Sequence, residues 1–388
     1  MTSTAPPPAR ELPVGPTISA DSHVTEPLDA FVGRIDPEFA ARAPELRQLP
    51  GLGITMVIDP DRDTQLFVPY AMVAAAGRPA EEIGLDTDRS WEWLHPGGHD
   101  RDARLREQDV DGVACEVIYP STGMLLCNHR DRAYMRACMN AYNEWLAEWC
   151  AGAPDRLVGI GQTALRSPEE GIADLHEIRR LGLRGVMLPG FPVVDDYDSP
   201  AYDEFWRACI DLDLPVSFHI LTGGDSFFEA PRGPKLNTFM SVLRGNQDII
   251  GTMVFSAVFE RHPELRIVCV EADAGWAAHY MYRADHAYDR HRNWLTAGDL
   301  RRRPSEYFWE NVYLTFQDDW VAFRNLDIVN PDRLMWANDH PHSDSTWPNS
   351  QALLADHTAQ LDDHQRDRIL RRNCAELYGI AIESSPRG

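Results

Sequence analysis

Short apolar runs rich in β-branched residues recur along the chain, and segments of helical periodicity separate them. Most of these runs are continuous rather than alternating, which is typical of parallel strands buried on both faces. Eight can be counted, at residues 17–23, 113–119, 157–163, 184–188, 215–220, 266–271, 311–316 and 333–338. The pattern predicts a β-strand at each of these places.

The segments between the strands carry helix signals. Residues 131–152 place apolar side chains at helical spacing. Ser167-Pro168 and Ser199-Pro200 each open a segment with a capping residue and a proline in the first turn, and the stretch 350–381 is predicted to be helical. Strand followed by helix, repeated eight times, predicts one (β/α)8 TIM barrel over residues 17–388. A doubly wound sheet would also alternate, but no G-x-G-x-x-G follows the first strand.

Two segments do not fit this alternation. Residues 1–16 are rich in proline and predict a flexible tail. Residues 30–110 contain ITMVIDPDRDTQLFVPY, which predicts a hairpin with DPDRD as its turn. We therefore expect residues 30–110 to form an inserted cap after the first barrel strand.

Composition narrows the possible partners and the cellular compartment. The chain has 388 residues, 44% of them hydrophobic, so it can form a large core. Lys plus Arg total 37 against 60 Asp plus Glu, and this net charge of −23 argues against nucleic acid or a membrane as partner. Seven cysteines without a CxxC pair favour a reducing cytoplasm. No window approaches the ~18 uninterrupted apolar residues of a membrane-spanning helix.

Candidate metal ligands gather at the predicted strand ends. In the segment ISADSHVTEP, Asp21 and His23 lie two apart on a strand and so share one face, and Glu26 follows on the next loop. A second cluster, NDHPHSD, spans residues 338–344. In a barrel, the C-terminal ends of the strands surround one cavity, where function resides. The full set of candidate ligands is Asp21, His23, Glu26, His219, Glu271, Asp339 and His342.

Imidazole and carboxylate without thiolate suit Zn, Fe, Mn or Ni. One metal with an open position needs three or four protein ligands, so seven candidates are enough for two metals. Other roles stay open for some of them: Glu271 could pair with Arg266 or Arg184, and Glu26 could cap a turn. Asp344 is a further, weaker candidate, which could instead cap its loop.

Three other histidines receive different predictions. His340 alternates away from Asp339 and is expected to be structural. His95 and His99 fall in the inserted region and are expected at the surface.

These residues resemble the amidohydrolase-related superfamily, in its decarboxylase-like branch. The superfamily motif is an acidic residue or His, x, His on strand one, a His on strand five and an Asp on strand eight, which correspond to Asp21/His23, His219 and Asp339. The resemblance implies a TIM barrel with a divalent metal, commonly as a homodimer. The chain departs from the decarboxylase pattern at Glu271, where a His is usual, and at the additional His342. It also lacks the strand-four Lys of many hydrolytic members.

The combination of DSHVTEP and DHPHSDSTWP looks like a subgroup of TIM-barrel non-haem diiron monooxygenases, those of platensimycin and platencin diterpenoid biosynthesis. That resemblance implies two Fe ions, dioxygen as cosubstrate, an unknown electron donor and a large hydrophobic, CoA-linked substrate hydroxylated at an unactivated carbon. Glu271 and His342 would be the catalytic residues. Five aromatic residues are expected to form an apolar wall for such a substrate: Phe218, Trp276, Phe316, Trp336 and Trp347. The run Arg301-Arg302-Arg303 could meet CoA phosphates or be a solvated helix end.

Two alternatives remain. A mononuclear Zn- or Mn-dependent decarboxylase or hydrolase of the same superfamily would act without oxygen. A metal-dependent scaffold or ligand-binding barrel would hold a metal without turnover.

Overall fold

The described part of the chain follows the predicted alternation of strands and helices. The computed structural model describes residues 15–84, 88–223, 233–234 and 236–382. The predicted tail therefore lies outside the described residues up to residue 14. The strands are β1 Thr17–Val24, β2 Glu45–Leu49, β3 Gly53–Ile58, β4 Leu66–Pro69, β5 Val113–Pro120, β6 Leu157–Gly159, β7 Gly161–Gln162, β8 Val186–Met187, β9 Val216–His219, β10 Ile267–Val270, β11 Val312–Phe316 and β12 Leu334–Trp336.

Helices separate the parallel strands and follow the last one. They are α1 Tyr70–Val73, α2 Arg101–Asp111, α3 Thr122–Leu126, α4 Arg132–Ala151, α5 Pro168–Arg180, α6 Asp203–Asp211, α7 Leu236–Phe255, α8 Val258–Arg261, α9 Ala277–His291, α10 Pro304–Asn311, α11 Ser350–His357, α12 Asp363–Asp367 and α13 Asn373–Tyr378. The caps act as the sequence predicts, since the Ser167 side chain accepts a hydrogen bond from the Glu170 backbone at 3.2 Å. The predicted C-terminal helix is instead several short ones, because residues 358–362 interrupt it and a π-helical turn, Arg368–Arg372, separates α12 from α13.

Each of the eight predicted runs forms parallel strand structure. Two sheets result, one of order β1-β5-β6 and one of order β12-β11-β10-β9-β8-β7. The third run is split into β6 and β7 at Ile160, whose N–H donates to the Ile118 carbonyl at 3.0 Å. β1 and β12 meet through backbone hydrogen bonds just beyond β12, from Asp339 N to Asp21 O at 3.1 Å and from His23 N to His340 O at 2.7 Å. The pairing gives two sheets rather than one ring, so it does not by itself confirm a closed barrel.

The strands are buried because helices cover them. Every residue of β1, β9 and β10 is buried, as expected for parallel strands with no solvent-facing side. The polar side chains Asp21 and His23 are thus carried into the interior by a strand whose other residues are mostly small or β-branched. Burial of these two side chains is costly unless other groups balance their charge.

The segment between β1 and β5 contains a separate antiparallel sheet of order β2-β3-β4. The predicted hairpin is confirmed: Thr55 to Ile58 of β3 pair with Pro69 to Leu66 of β4. Asp59 and Asp61 of its turn have φ of 53° and 59°, a left-handed conformation that Asp tolerates better than most residues. The same segment also holds α2, the helix that precedes β5.

No helix among the described residues has both the length and the apolar character needed to cross a membrane.

Candidate metal centre

Six of the seven predicted ligands lie together at the C-terminal ends of the parallel strands. β1 presents Asp21 and His23, and β9 ends at His219. Glu271 follows β10 and Asp339 follows β12, with φ of 58° and 51°. These left-handed turns redirect each side chain as its strand ends. The sixth residue, His342, lies three positions after Asp339 and forms a contact of 3.1 Å from its Nδ1 to Asp339 Oδ1.

His23 lies at the middle of this cluster. Its Nε2 is 3.4 Å from Asp21 Oδ1, 3.4 Å from Asp339 Oδ1 and 3.7 Å from Glu271 Oε2. His219 Nε2 lies 3.3 Å from His23 Nε2 and 3.2 Å from Glu271 Oε2. The possible ligand atoms form two overlapping sets, which share His23 and Glu271.

Backbone carbonyls fix the tautomers of two histidines. His23 Nδ1 lies 3.0 Å from the Pro120 carbonyl oxygen, and His219 Nδ1 lies 3.1 Å from the Ile220 carbonyl oxygen. A carbonyl oxygen only accepts hydrogen bonds, so each Nδ1 carries the proton and each Nε2 presents a lone pair. Burial lowers the pKa of His23, which keeps its ring neutral. Two lone pairs therefore face each other across the cluster, an arrangement that a shared cation stabilises.

A serine fixes the third histidine. Ser121 Oγ donates to the Val24 carbonyl at 2.7 Å, so it accepts the hydrogen bond of 2.8 Å from His342 Nε2. The His342 Nδ1 lone pair then points at Asp339, and its ring stacks on His23 with centroids 3.7 Å apart. Burial is the main reason that the pKa of His342 lies well below its ordinary value, so this ring is also neutral.

Five carboxylate oxygens of the cluster lack a hydrogen-bond donor among the described residues. Within the described residues, both oxygens of Asp21, both of Asp339 and Oε2 of Glu271 are buried without a hydrogen-bond partner. Burial, and then the negative charge of Asp21, raises the pKa of Glu271, while burial and Glu271 raise that of Asp339. Acceptors alone, converging in a buried site, fit a divalent cation that attracts them all.

The seventh predicted ligand, Glu26, points elsewhere. Its carboxylate oxygens accept hydrogen bonds from the Thr122 backbone N–H at 2.9 and 3.1 Å and from the Thr122 hydroxyl at 2.8 Å. Glu26 thus ties the loop after β1 to the start of α3, and it is absent from the sets of possible ligands in the described residues. The prediction differs from the structure because Glu26 has left the strand, so no alternation rule fixes its direction.

A cavity of about 300 Å³ opens above the cluster. Glu271, Asp339 and His342 lie at its polar end, with Ser343 and Asp344 beside them. The rest of the described wall is apolar: Leu52, Phe67, Val68, Pro69, Met72, Val73, Met124, Leu125, Ile220, Leu221, Phe239 and Val242.

The predicted aromatic wall is wrong in its residues. None of the five aromatic side chains belongs to the described lining of this cavity. Phe218, Phe316 and Trp336 are at most 1% exposed and belong to the core instead. Strand alternation explains the error, because Phe218 is the immediate neighbour of the inward-facing His219 and points to the opposite side of its strand.

Sequence reasoning also missed Ser121 and misplaced His95. Ser121 directly follows β5, and its position at a strand end was the available signal. His95 is only 8% exposed and lies in contact with Glu107, rather than at the surface.

The fold and this buried cluster of acceptors define an α/β protein with a candidate metal centre at its strand ends. A family model described as Amidohydrolase matches residues 129–380. The chain therefore belongs to the amidohydrolase family, in agreement with the resemblance of its motifs.

Curated relatives extend this finding. The chain is 28% identical over 312 residues to a gamma-resorcylate decarboxylase of Rhodococcus jostii (strain RHA1), covering 72% of this chain and 88% of the relative. It is 22% identical over 290 residues to a 2-amino-3-carboxymuconate-6-semialdehyde decarboxylase of Dictyostelium discoideum, covering 72% and 77%.

Solved structures support a TIM-barrel-type α/β fold. An amidohydrolase of Mycobacterium avium subsp. paratuberculosis K-10 superposes with a TM-score of 0.74 at 20% identity, over 94% of this chain and 99% of that one. A dihydroxybenzoic acid decarboxylase of Polaromonas sp. JS666, with bound manganese and the inhibitor 2-nitroresorcinol, superposes with a TM-score of 0.63 at 17% identity, over 94% and 97%.

These comparisons correct the functional hypothesis. The diiron monooxygenase interpretation, with its link to platensimycin biosynthesis and its assignment as an oxidoreductase, is wrong, because the curated relatives that span 72% of the chain are decarboxylases. Two Fe ions are likewise unsupported, since the similar decarboxylase of known structure binds manganese. The alternative prediction, a metal-dependent decarboxylase of the same superfamily, agrees better with these findings.

Proposed function

We propose that this protein is a metal-dependent decarboxylase that acts on a carboxylic acid with a bulky apolar body and uses one Mn or Zn ion. The observation that carries the proposal is the set of unbalanced acceptors at the polar end of an otherwise apolar cavity. The decarboxylase relatives supply the reaction class.

The ion would be held by Asp21, His23, His219 and Asp339, the four residues that match the superfamily motif. When bound, a divalent ion supplies positive charge that attracts the substrate carboxylate and stabilises negative charge developing on the substrate. His23 and His219 present neutral Nε2 lone pairs, as metal ligation requires.

Glu271 and His342 would serve the chemistry beside these four residues. Decarboxylation breaks the bond between the substrate carbon and its carboxylate, carbon dioxide leaves, and the electron pair left on the carbon takes up a proton. Glu271 borders the cavity and is 13% exposed, so we assign it the delivery of that proton. His342, held by Ser121, positions Asp339.

The cavity wall would select the body of the substrate. The lining contains no lysine or arginine within the part of the chain that the structure describes, so a second anionic group on the substrate would lack a partner. β4 and α1 contribute Phe67, Val68 and Met72 to this wall, and the hairpin would thereby act as the predicted cap over the site. Apolar contacts on several sides exclude water and favour a hydrophobic acid.

The three arginines that could meet CoA phosphates are already paired in the structure. Arg301, Arg302 and Arg303 each pair with a carboxylate, at Glu260, Glu310 and Asp285 respectively. These arginines precede α10, and their carboxylate partners lie on α8, α10 and α9. Ion pairs within the chain are therefore a sufficient reason for their presence. The homodimer and the cytoplasmic location remain predictions.

Carbon dioxide release under anaerobic conditions tests the proposal. The chain is loaded with Mn or Zn and incubated with 2,6-dihydroxybenzoate and with aromatic and aliphatic acids of increasing apolar bulk. We expect release that needs the metal, proceeds without oxygen and is fastest for the bulkier apolar acids. Asp339→Asn should lose the metal and lower the rate more than about 100-fold, because it removes a charged ligand.

Asp344→Asn is the matched control, since Asp344 borders the same cavity without belonging to the acceptor cluster. Its metal content should be that of the wild type. Cleavage of esters or amides without release of carbon dioxide would show a hydrolase and contradict the proposal.

A further inference from the structure

A second cluster of possible metal ligands lies outside the centre described above. It consists of His95, Glu107 and His340, whose ligand atoms all lie within 4.8 Å of one another. His95 precedes the short 3-10 helix Pro96–Gly98, Glu107 lies on α2, and His340 follows Asp339 after β12. Residues 95 and 107, which lie close together in sequence, thus meet residue 340 from near the other end of the chain, and the first centre uses none of these side chains.

The distances within this second cluster fit ligation. Glu107 Oε2 lies 3.3 Å from His95 Nδ1 and 3.1 Å from His340 Nε2. Two ligands at about 2.0–2.1 Å from a tetrahedral zinc ion are separated by about 3.3–3.4 Å. The observed separations are therefore close to those expected around one ion.

Hydrogen bonding does not account for these contacts. His95 Nδ1, Glu107 Oε2 and both ring nitrogens of His340 are buried without a hydrogen-bond partner, as far as the described residues go. Both separations are short, yet neither contact has the geometry of a hydrogen bond. His340 is 1% exposed and His95 is 8% exposed, so water does not replace the missing partners freely.

The surroundings close the cluster on several sides. The Trp347 ring lies 4.6 Å from the His95 ring and 5.7 Å from the His340 ring, measured between centroids. A Cβ at Gly97 would come within 1.6 Å of Glu107 Oε2 and 2.9 Å of His340 Cε1, so only glycine leaves room there.

The Arg104 guanidinium lies near the cluster, and its charge is already balanced. The Arg104 guanidinium donates to the carbonyls of Gly97 and His340, at 3.1 and 3.0 Å. Its charge pairs with Glu116, which is itself buried. The carboxylate of Glu107 is therefore free of Arg104 and available to a second cation.

We propose that His95, Glu107 and His340 bind a second divalent transition metal, of which zinc is the best fit to two imidazoles and one carboxylate. This site is independent of the metal centre at the strand ends, and its three protein ligands leave one tetrahedral position open. The ion joins the segment before α2 and α2 itself to the loop after β12, which carries Asp339 and His340. None of the three ligands belongs to the described lining of the cavity above the strand ends, so we assign the ion a structural role.

Metal counting on the full chain tests this inference. The chain is exposed to excess Zn²⁺, dialysed free of unbound metal and analysed by inductively coupled plasma mass spectrometry. We expect two zinc ions per chain in the wild type and one in His95→Gln and in Glu107→Gln. His99→Gln is the control, because it removes a histidine of the same segment and should keep both ions.

His219→Gln separates this inference from the proposed decarboxylase. It should empty the centre at the strand ends and retain the ion at His95, so one zinc should remain. The double variant His95→Gln/His219→Gln should then bind none. Circular dichroism confirms that each variant is folded before its metal is counted.

Three results would overturn the inference. The first is a wild-type ratio of one zinc per chain that His95→Gln leaves unchanged. The second is loss of both ions from a folded His95→Gln chain, which would show that the sites are not independent. A count of two that only His219→Gln reduces, by both ions, would place both metals at the strand ends and also contradict it.

Discussion

The histidines of the metal centre are oriented by acceptors outside the cluster. The carbonyls of Pro120 and Ile220 accept hydrogen bonds from the Nδ1–H groups of His23 and His219. The Ser121 hydroxyl accepts a hydrogen bond from the Nε2–H of His342. Each ring therefore enters the site with a lone pair already aimed inward. Such supporting hydrogen bonds commonly matter about 10–100-fold for metal affinity or activity.

A substitution of the single residue Glu26 tests which side chains bind the metal at the strand ends. Its carboxylate is occupied by Thr122, so Glu26→Gln should leave the metal content at the strand ends unchanged. Glutamine can accept from the Thr122 N–H and donate to the Thr122 hydroxyl, which preserves the local contacts. Metal analysis beside Asp339→Asn checks this expectation. A loss of metal in Glu26→Gln comparable to that in Asp339→Asn would restore Glu26 as a ligand.

At the scale of elements, α2 connects the two strands that begin and end the parallel array. Arg104 of α2 is fully buried and donates to the carbonyls of His23 and His340, at 2.8 and 3.0 Å. Its charge is balanced by Glu116 of β5, which also accepts a hydrogen bond from Gln108 at 2.7 Å. The Arg104 guanidinium thus holds the backbone of His23, two residues after Asp21, and of His340, the residue after Asp339.

Arg104→Met should therefore be strongly destabilising. It leaves the Glu116 carboxylate buried without its partner, a change that typically costs about 3–5 kcal/mol. Urea unfolding followed by circular dichroism measures the loss. The exposed Arg106 of the same helix is the control, and Arg106→Met should change the free energy of unfolding by less than about 0.5 kcal/mol.

The double variant Arg104→Met/Glu116→Gln tests the reason for this loss. It removes both charges, so it should be more stable than Arg104→Met alone. Equal stability of the single and double variants would contradict an electrostatic origin.

At the scale of the whole molecule, buried acids make stability depend on pH. Burial raises the pKa of Asp111, at the end of α2, from the ordinary 3.8 to about 7, although Ser350 of α11 donates a backbone hydrogen bond to it at 3.0 Å. The folded chain then keeps a proton that the unfolded chain releases between these values. The contribution of Asp111 to the free energy of unfolding should therefore fall as pH rises from about 4 to about 7.

Asp111→Asn isolates this contribution. The variant should show a smaller decrease in the free energy of unfolding between pH 5 and pH 8, by an amount on the order of 1–3 kcal/mol. Asp102→Asn, an exposed site on the same helix, should keep the wild-type dependence. Identical pH profiles for the wild type and Asp111→Asn would contradict the prediction.

Much of the fold could be predicted because local sequence carries it. The eight apolar runs became parallel strands since their burial on both faces requires continuous apolar sequence, and the caps at Ser167 and Ser199 act directly on neighbouring backbone. The C-terminal stretch was harder, because its breaks near residues 358–362 carry no strong helix-breaking residue. Ring closure likewise depends on pairing between the first and last strands, which no local pattern reports.

The sequence by itself determined the family, the strands and the position of Asp21, His23, His219, Glu271 and Asp339 at strand ends, because strand alternation and chain order act through the backbone alone. Tertiary structure decided the rest. It turned Glu26 to Thr122 and brought Ser121 under His342. It built the cavity wall from β4 and α1 rather than from the predicted aromatics, and it buried His95 against His340. Each of these outcomes joins segments distant along the chain, and such contacts are fixed by packing, which no local spacing specifies.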